Sequence, residues 1–255
     1  PTSEERARVP HHLIDMADPD NPWSLAVFQE AARRAIREIH ARGRLPFLVG
    51  GTGQYLRAVS EGWRVPKAEP DPRLRLALER WAEEIGREGL HRRLAALDPQ
   101  AAARIDYRNL RRTVRALEVI FSTGERFSEL RRRGPSPYRV LQIGLIRPRS
   151  ELYRRVDERI RSMLDAGLVD EVRSLLEQGY APDLPPMSAI GYREIVAYLR
   201  GEMSLEEAVR EIERATRVFV RRQANWFKPD DPDIRWFAVD SGNLAEIVTE
   251  VEAVS

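Results

Sequence analysis

The apolar positions of this chain hold a helical period over long stretches and collapse into short continuous runs at a few points. A first helix is predicted from Ser24, an N-cap residue type, to about Arg42, where Gly43 ends it. Pro46-Phe47-Leu48-Val49-Gly50 then reads as a buried-type strand over 46–50. It empties into Gly50-Gly51-Thr52-Gly53, after which the pattern restarts as a helix. In an open α/β sheet such a turn sits at the carboxyl edge, where ligands bind. Glycines there let a backbone approach closely, and the Thr52 hydroxyl can both donate and accept a hydrogen bond. A tight βα turn without a ligand fits the same residues.

Residues Pro66 to Pro72 mark a break, and the pattern beyond them is helical over 72–86, 88–96, 108–122 and 125–133. A second break at Gly134-Pro135-Ser136-Pro137 precedes an apolar strand, Val140–Ile146. Long amphipathic helices follow over 150–178, 188–200 and 204–227, then a strand at 234–239 and a closing helix at 242–254. The two ends of the chain thus read α/β and the middle all-α. The economical arrangement is a discontinuous α/β core, 1–70 and 141–255, with an all-helical insertion at 71–140. A doubly wound sheet usually has about five strands, and the chain opens at Pro1 without an initiator methionine. Both observations lead us to expect strands missing at the amino end.

Composition narrows the chemistry. With 255 residues, 42% hydrophobic and 32% charged, the chain is an ordinary globular sequence, and no apolar run approaches the ~20 residues of a membrane span. We therefore expect no membrane partner; the absence of cysteine fits a cytoplasmic protein, and a monomer is the default. The absence of cysteine excludes disulfides, thiolate zinc sites and a cysteine nucleophile. Of the four histidines only His11 and His12 are close together, and a structural role suits them better than a metal site; no metal ligands are assigned in this chain. Net charge is only +2, but Lys67 and Lys228 are the sole lysines among 42 basic residues. Neither lies in the Gly-x-x-x-x-Gly-Lys-Ser/Thr pattern of a phosphate-binding P-loop.

The arginines cluster. Arg108, Arg111, Arg112 and Arg115 share one helix face, with Glu118 the nearest acid downstream. Such a stripe is the usual footprint of nucleic acid, and a solvated face is the alternative. Arg210, Arg214, Arg217 and Arg221 form a second stripe, in which Glu213 to Arg217 is a favourable i, i+4 pair. That segment ends Arg221-Arg222-Gln223-Ala224-Asn225-Trp226-Phe227-Lys228, a mixture suited to backbone contact and stacking on an unpaired base. Arg155 and Arg159, one turn apart after the 140–146 strand, can clamp a diphosphate or pair with Asp157 and Glu158. Met187-Ser188-Ala189-Ile190-Gly191-Tyr192-Arg193 opens a helix with small residues that admit a ligand backbone, or simply pack.

Taken in order, these segments resemble the tRNA dimethylallyltransferase (tRNA isopentenyltransferase) family. The resemblance rests on His11-His12-Leu13-Ile14-Asp15, Gly50-Gly51-Thr52, Asp71-Pro72 with Arg75, Arg115-Ala116-Leu117-Glu118-Val119, Ile190-Gly191-Tyr192, and Arg222-Gln223 with Trp226. It implies a P-loop NTPase-like α/β parallel-sheet core with the inserted helical domain binding tRNA. The implied reaction moves a dimethylallyl group from dimethylallyl diphosphate to N6 of an adenosine beside the anticodon, with Mg²⁺. By position, the resemblance makes Thr52 the catalytic residue in contact with the target adenosine and places Arg155 and Arg159 on the diphosphate. It assigns contact with the anticodon stem-loop to Thr52, Arg75, Arg111, Arg112, Thr113, Val114 and Arg115. Ser188, Ala189, Ile190, Gly191, Tyr192 and Arg193 are assigned likewise, as are Arg221, Arg222, Gln223, Ala224, Asn225, Trp226, Phe227 and Lys228.

The residue types agree with that chemistry. Charge builds on phosphate oxygens as an allylic diphosphate departs, and arginines stabilise it. A weakly nucleophilic amine must be extruded, held in line and shielded from water. In the family, the P-loop and the segment holding the catalytic base lie upstream of Pro1, so this chain alone is expected to be inactive. The absence of a cysteine zinc finger after the core implies the bacterial form. Competing readings are an adenylate isopentenyltransferase acting on free nucleotide, and a non-catalytic RNA-binding module should the protein begin at Pro1.

Overall fold

The computed structural model describes residues 1–21, 23–65, 71–129, 136–239 and 244–253. Its elements are α1 (Ser3–Arg8), α2 (Leu25–Ala41), α3 (Gly53–Ser60), α4 (Pro72–Leu97), α5 (Pro99–Arg104), α6 (Leu110–Thr123), β1 (Gln142–Ile146), α7 (Arg149–Asp165), α8 (Leu168–Glu177), a 3₁₀ turn (Pro185–Ser188), α9 (Tyr192–Leu199), α10 (Leu205–Gln223), β2 (Ile234–Ala238) and α11 (Leu244–Glu252). No helix among the described residues is long and apolar enough to cross a membrane. The chain separates into two compact units: Pro1–Trp23, Arg37–Gln54 and Val140–Ser255 form one, Ser24–Ile36 and Tyr55–Arg139 the other.

The second unit is built on α4, α5 and α6. Asp71 caps α4 by accepting from the Arg73 and Leu74 amides at 2.9 and 3.1 Å, with Pro72 at the first helical position. At Gly86 the backbone turns out of helical geometry, φ 76° and ψ 158°, so the helix bends where the pattern breaks between 72–86 and 88–96. Leu78, Ala82, Leu90 and Leu94 of α4 bury against Ala101 of α5 and Val114 and Leu117 of α6. Asp98, fully buried, joins these pieces by accepting from the Ala101 amide at 3.0 Å and the Ser128 amide at 2.7 Å. Burial alone would raise its pKa; the two amides outweigh that and hold the carboxyl below the usual range.

The first unit pairs β1 with β2 in parallel, Gln142 opposite Ile234 and Ile146 opposite Ala238. Gly144 faces Trp236, whose ring crosses the space a side chain would fill: a Cβ there would stand 2.5 Å from Cζ3. Helices α7 to α10 close over Ile160, Leu168, Val172, Met187, Ile195 and Ile212. Ser204 and Glu207 cap α10 reciprocally, with the Glu207 amide donating to Ser204 Oγ at 3.2 Å and the Ser204 amide to Glu207 Oε2 at 2.8 Å.

Four expectations change. Residues 46–50 form no strand: the segment pairs with neither β1 nor β2, and Phe47 and Val49 are 68% and 88% exposed. An apolar run becomes a strand only beside a partner that takes its amides and carbonyls, and Pro46 has no amide to offer. The 150–178 stretch splits at Gly167, whose φ of 97° ends one helix and starts the next. The 188–200 helix begins only at Tyr192, after Gly191 at φ 101°. Glu125–Glu129 makes a turn rather than a helix, closed by the Glu129 amide on Arg126 O. The remainder of that predicted helix, Lys67, most of the 66–72 break and Gly134-Pro135 lie outside the described residues.

Candidate functional site

Two of the sequence motifs meet in the first unit. The Gly50–Gly53 turn leads into α3, and the end of α10 lies directly on it. Gln223 Nε2 donates to Gly51 O at 3.4 Å, and a Cβ on Gly51 would overlap that amide. A Cβ on Gly53 would stand 2.5 Å from Cβ and Cγ of Trp226. The glycines are therefore required by the approach of Gln223 and Trp226. Thr52, between them, is exposed. The chain leaves α10 through a tight turn, with the Trp226 and Phe227 amides donating to Gln223 O at 2.9 and 3.0 Å. Arg221, Arg222, Ala224, Asn225 and Lys228 are exposed around this turn, and Arg222 and Lys228 make no ion pair among the described residues. An exposed hydroxyl, unpaired cations and an aromatic side chain thus share one place, which suits a stacked base and its phosphates.

Arg155 and Arg159 are both exposed on α7. Arg155 Nε donates to Glu151 Oε1 at 3.3 Å, while Arg159 has no acidic partner among the described residues. The predicted partners are taken elsewhere: Glu158 pairs with Arg154 and Asp157 with Arg217 of α10. Burial pushes the Glu151 carboxyl up, but the guanidinium groups of Arg155 and Arg147 hold it below the usual range. A solvated pair like Arg155–Glu151 is worth little and gives way readily to a more highly charged anion. The expected Glu213–Arg217 pair gives way to Asp157, reached across the α7–α10 seam at 2.8 and 2.9 Å.

The 188–193 segment is held mostly by its own neighbours. Ser188 Oγ donates to Pro185 O at 2.6 Å, and the Gly191 amide donates to Glu194 Oε2 at 2.8 Å. Arg193 Nε donates to Glu194 Oε1 at 3.1 Å, and the Tyr192 hydroxyl is hydrogen-bonded to Glu171. Burial and that carboxylate push the Tyr192 pKa up to about 12. Ser188, Ala189, Ile190 and Arg193 are exposed and Gly191 is buried, so the accessible part is the turn before α9.

In the second unit the predicted stripe divides. Arg111 and Arg112 are exposed and free of ion pairs among the described residues. Thr113 and Val114 are buried, so their side chains belong to the helical core and present nothing to RNA. Arg115 also turns inward: its Nη1 donates to Glu118 Oε2 at 2.8 Å. Arg75 Nη2 donates to the same carboxylate at 3.1 and 2.9 Å, and the Asp71 amide adds a bond at 3.1 Å. Glu118 is 1% exposed, on the face that Val114 and Leu117 commit to the core. Burial raises its pKa, and the bonds from Arg115 and Arg75 outweigh that, leaving it below the ordinary carboxylate value. Arg75 and Arg115 are struts of this cage before they are ligands.

No group of three or more histidine or acidic side chains converges among the described residues. The described residues thus offer no all-protein cage for Mg²⁺, an ion commonly held by one or two carboxylates together with substrate phosphates and water. His11 Nδ1 lies 2.7 Å from Val9 O, and His91 Nε2 3.1 and 2.7 Å from Ala102 O and Ile105 O, all local backbone contacts.

Residues 1–230 match the family model described as IPP transferase. The tRNA dimethylallyltransferase of Thermomicrobium roseum is 54% identical over 250 residues, covering 98% of this chain and 76% of the relative. Among solved structures, the tRNA isopentenylpyrophosphate transferase of Bacillus halodurans superposes with a TM-score of 0.67 at 40% identity, over 100% of this chain and 80% of that one. A eukaryotic dimethylallyltransferase acting on tRNA gives a TM-score of 0.79 at 25% identity, over 99% and 66%. The P-loop-type α/β fold expected from the sequence is the fold of these proteins. The chain belongs to the IPP transferase family.

Proposed function

We propose that this protein transfers a dimethylallyl group from dimethylallyl diphosphate to N6 of an adenosine beside the anticodon of tRNA. In the transfer the bond from the allylic carbon to the diphosphate oxygen breaks with its electron pair leaving on diphosphate, a carbon–N6 bond forms, and N6 gives up one proton to water. The observation that carries this reading is the contact of the Gly50–Gly53 turn with Gln223 and Trp226. It brings the exposed Thr52 beside exposed cations and the half-buried Trp226 ring, a grouping that suits an RNA loop. Thr52 holds the extruded adenine by hydrogen bonds. Arg222 and Lys228 take flanking phosphates, and Trp226 supports the turn from below.

Arg159, and Arg155 once released from Glu151, receive the charge that accumulates on the departing diphosphate. Arg111 and Arg112 contribute phosphate contacts from the helical unit. The test is incubation of the full-length protein with unmodified tRNA and dimethylallyl diphosphate, followed by mass spectrometry of the nucleosides. A prenylated adenosine is expected, and its absence refutes the reading. Replacing tRNA by AMP separates tRNA from free-nucleotide acceptors, and no transfer to AMP is expected.

A further inference from the structure

The arginine stripe of α10 is neutralised along most of its length. Arg210 pairs with Glu206 and Arg214 with Glu211, both within the helix. Arg217 instead forms its ion pair with another element. Its Nη2 donates to both oxygens of Asp157 on α7, at 2.9 and 2.8 Å. Its guanidinium carbon lies 5.3 Å from the centre of the Tyr153 ring, and Arg221 Nη1 stands 3.5 Å from the Tyr153 hydroxyl. Arg217 Nε is buried without a hydrogen-bond partner, while the side chain as a whole keeps 36% of its surface, so the group is half-buried in the seam.

These contacts have a register. Asp157 meets Arg217, and Tyr153, one turn earlier on α7, meets Arg221, one turn later on α10. The two helices therefore run antiparallel along this seam. Continued by another half turn, the same register brings Gln223 level with the first turn of α7, just after β1. Gln223 is the residue that holds Gly51. A continuous set of contacts thus runs from α7, which carries Arg155 and Arg159, through Asp157, Tyr153 and Arg217, along one and a half turns of α10, to the turn bearing Thr52.

We propose that Asp157, Arg217 and Tyr153 are positioning residues for the transfer reaction, a clamp that fixes the Thr52 turn relative to the helix bearing the diphosphate arginines. The proposal rests on the function argued above. Acceptor amine and leaving group must be held in line, and displacement of either by about 1 Å costs on the order of 100-fold in rate. None of the three residues needs to touch substrate for this.

The experiment measures kcat and KM for tRNA and for dimethylallyl diphosphate in the full-length protein, the Asp157→Asn variant, the Gly51→Ala variant and their double variant. Thermal melts establish that each is folded at the assay temperature. Asp157→Asn keeps the shape of the side chain and removes the charge. We expect kcat to fall by about 10- to 100-fold with both KM values within about threefold. Gly51→Ala displaces Gln223 from the other end of the same path, so the double variant loses less than the product of the two single losses. Should Asp157→Asn not fold, Arg217→Lys, which keeps a cation but not the planar face on Tyr153, takes its place in the same cycle. Unchanged kcat in a folded Asp157 or Arg217 variant overturns the clamp, as do losses that multiply independently. Parent protein that prenylates no tRNA instead refutes the function on which the clamp depends, and the clamp falls with it.

Discussion

Replacing Glu118 by glutamine tests whether Arg75 and Arg115 are held as the structure shows. The carboxylate is 1% exposed and accepts bonds from two guanidinium groups and the Asp71 amide. Glutamine fits the same space but offers one acceptor oxygen and turns an NH₂ group toward a cation. Removing one partner of a fully buried pair costs about 3–5 kcal/mol. Here Arg75 and Arg115 keep 41% and 33% of their side-chain surface, so water screens them once released. A loss of about 2 kcal/mol is the reasonable expectation after that discount. The sign of the pH dependence comes from the lowered pKa of Glu118. The group stabilises the fold fully above its unfolded value of about 4.5, and that stability is lost as pH falls through the lower folded value. Urea unfolding of parent and Glu118→Gln, followed by circular dichroism from pH 7 down to about pH 3, should show the gap between them shrink below about pH 4.5. A gap under about 0.5 kcal/mol at neutral pH, or one that pH does not alter, would refute the cage as the reason for the burial of Glu118.

Asp98→Ala removes two buried hydrogen bonds at the α4–α5 junction, and thermal melts should report a loss of about 2–3 kcal/mol. Gly144→Ala drives a methyl group into the Trp236 ring and should cost about 1–3 kcal/mol, read in the same melts; Gly43→Ala meets no atom and, at φ 64°, should cost only its backbone strain. Thr52→Ala should lower kcat with tRNA affinity nearly unchanged. Arg111→Ala should weaken tRNA binding and reduce the slope of log affinity against log salt by about 1, whereas Arg115→Ala should lower stability first.

Much of the fold was legible in the sequence because local chemistry decides it. The Asp71-Pro72 start of α4, the interruption near Gly86 and the start of α10 near Ser204 all depend on residues a few positions apart, and the runs that become β1 and β2 are visible one by one, though not their pairing. The turn at Gly50–Gly53 and the Arg221–Lys228 segment were each visible, though not that one rests on the other; their contact spans 172 residues. The inward turn of Arg115 was half visible. Glu118 stands three residues on, but the face it occupies is set by Val114 and Leu117 against α4, a fact of packing. Asp157 left no trace as the partner of Arg217, because a pair 60 residues apart carries no periodic signal. The strand at 46–50 failed for a related reason: β structure belongs to a pair, and a single run does not contain its partner.

The seam between α7 and α10 also acts as a gauge of length. Each residue added to a helix advances the rest of the helix by about 1.5 Å and rotates it by about 100°. One insertion between Arg217 and Gln223 would swing the Gln223 amide away from Gly51 while the Asp157 contact stayed in place. Four insertions would nearly restore the rotation but carry the amide about 6 Å too far. The count of residues between Arg217 and Gln223 should therefore be constant among relatives that keep both contacts, while the surface loop between α8 and the 3₁₀ turn is free to lengthen or shorten.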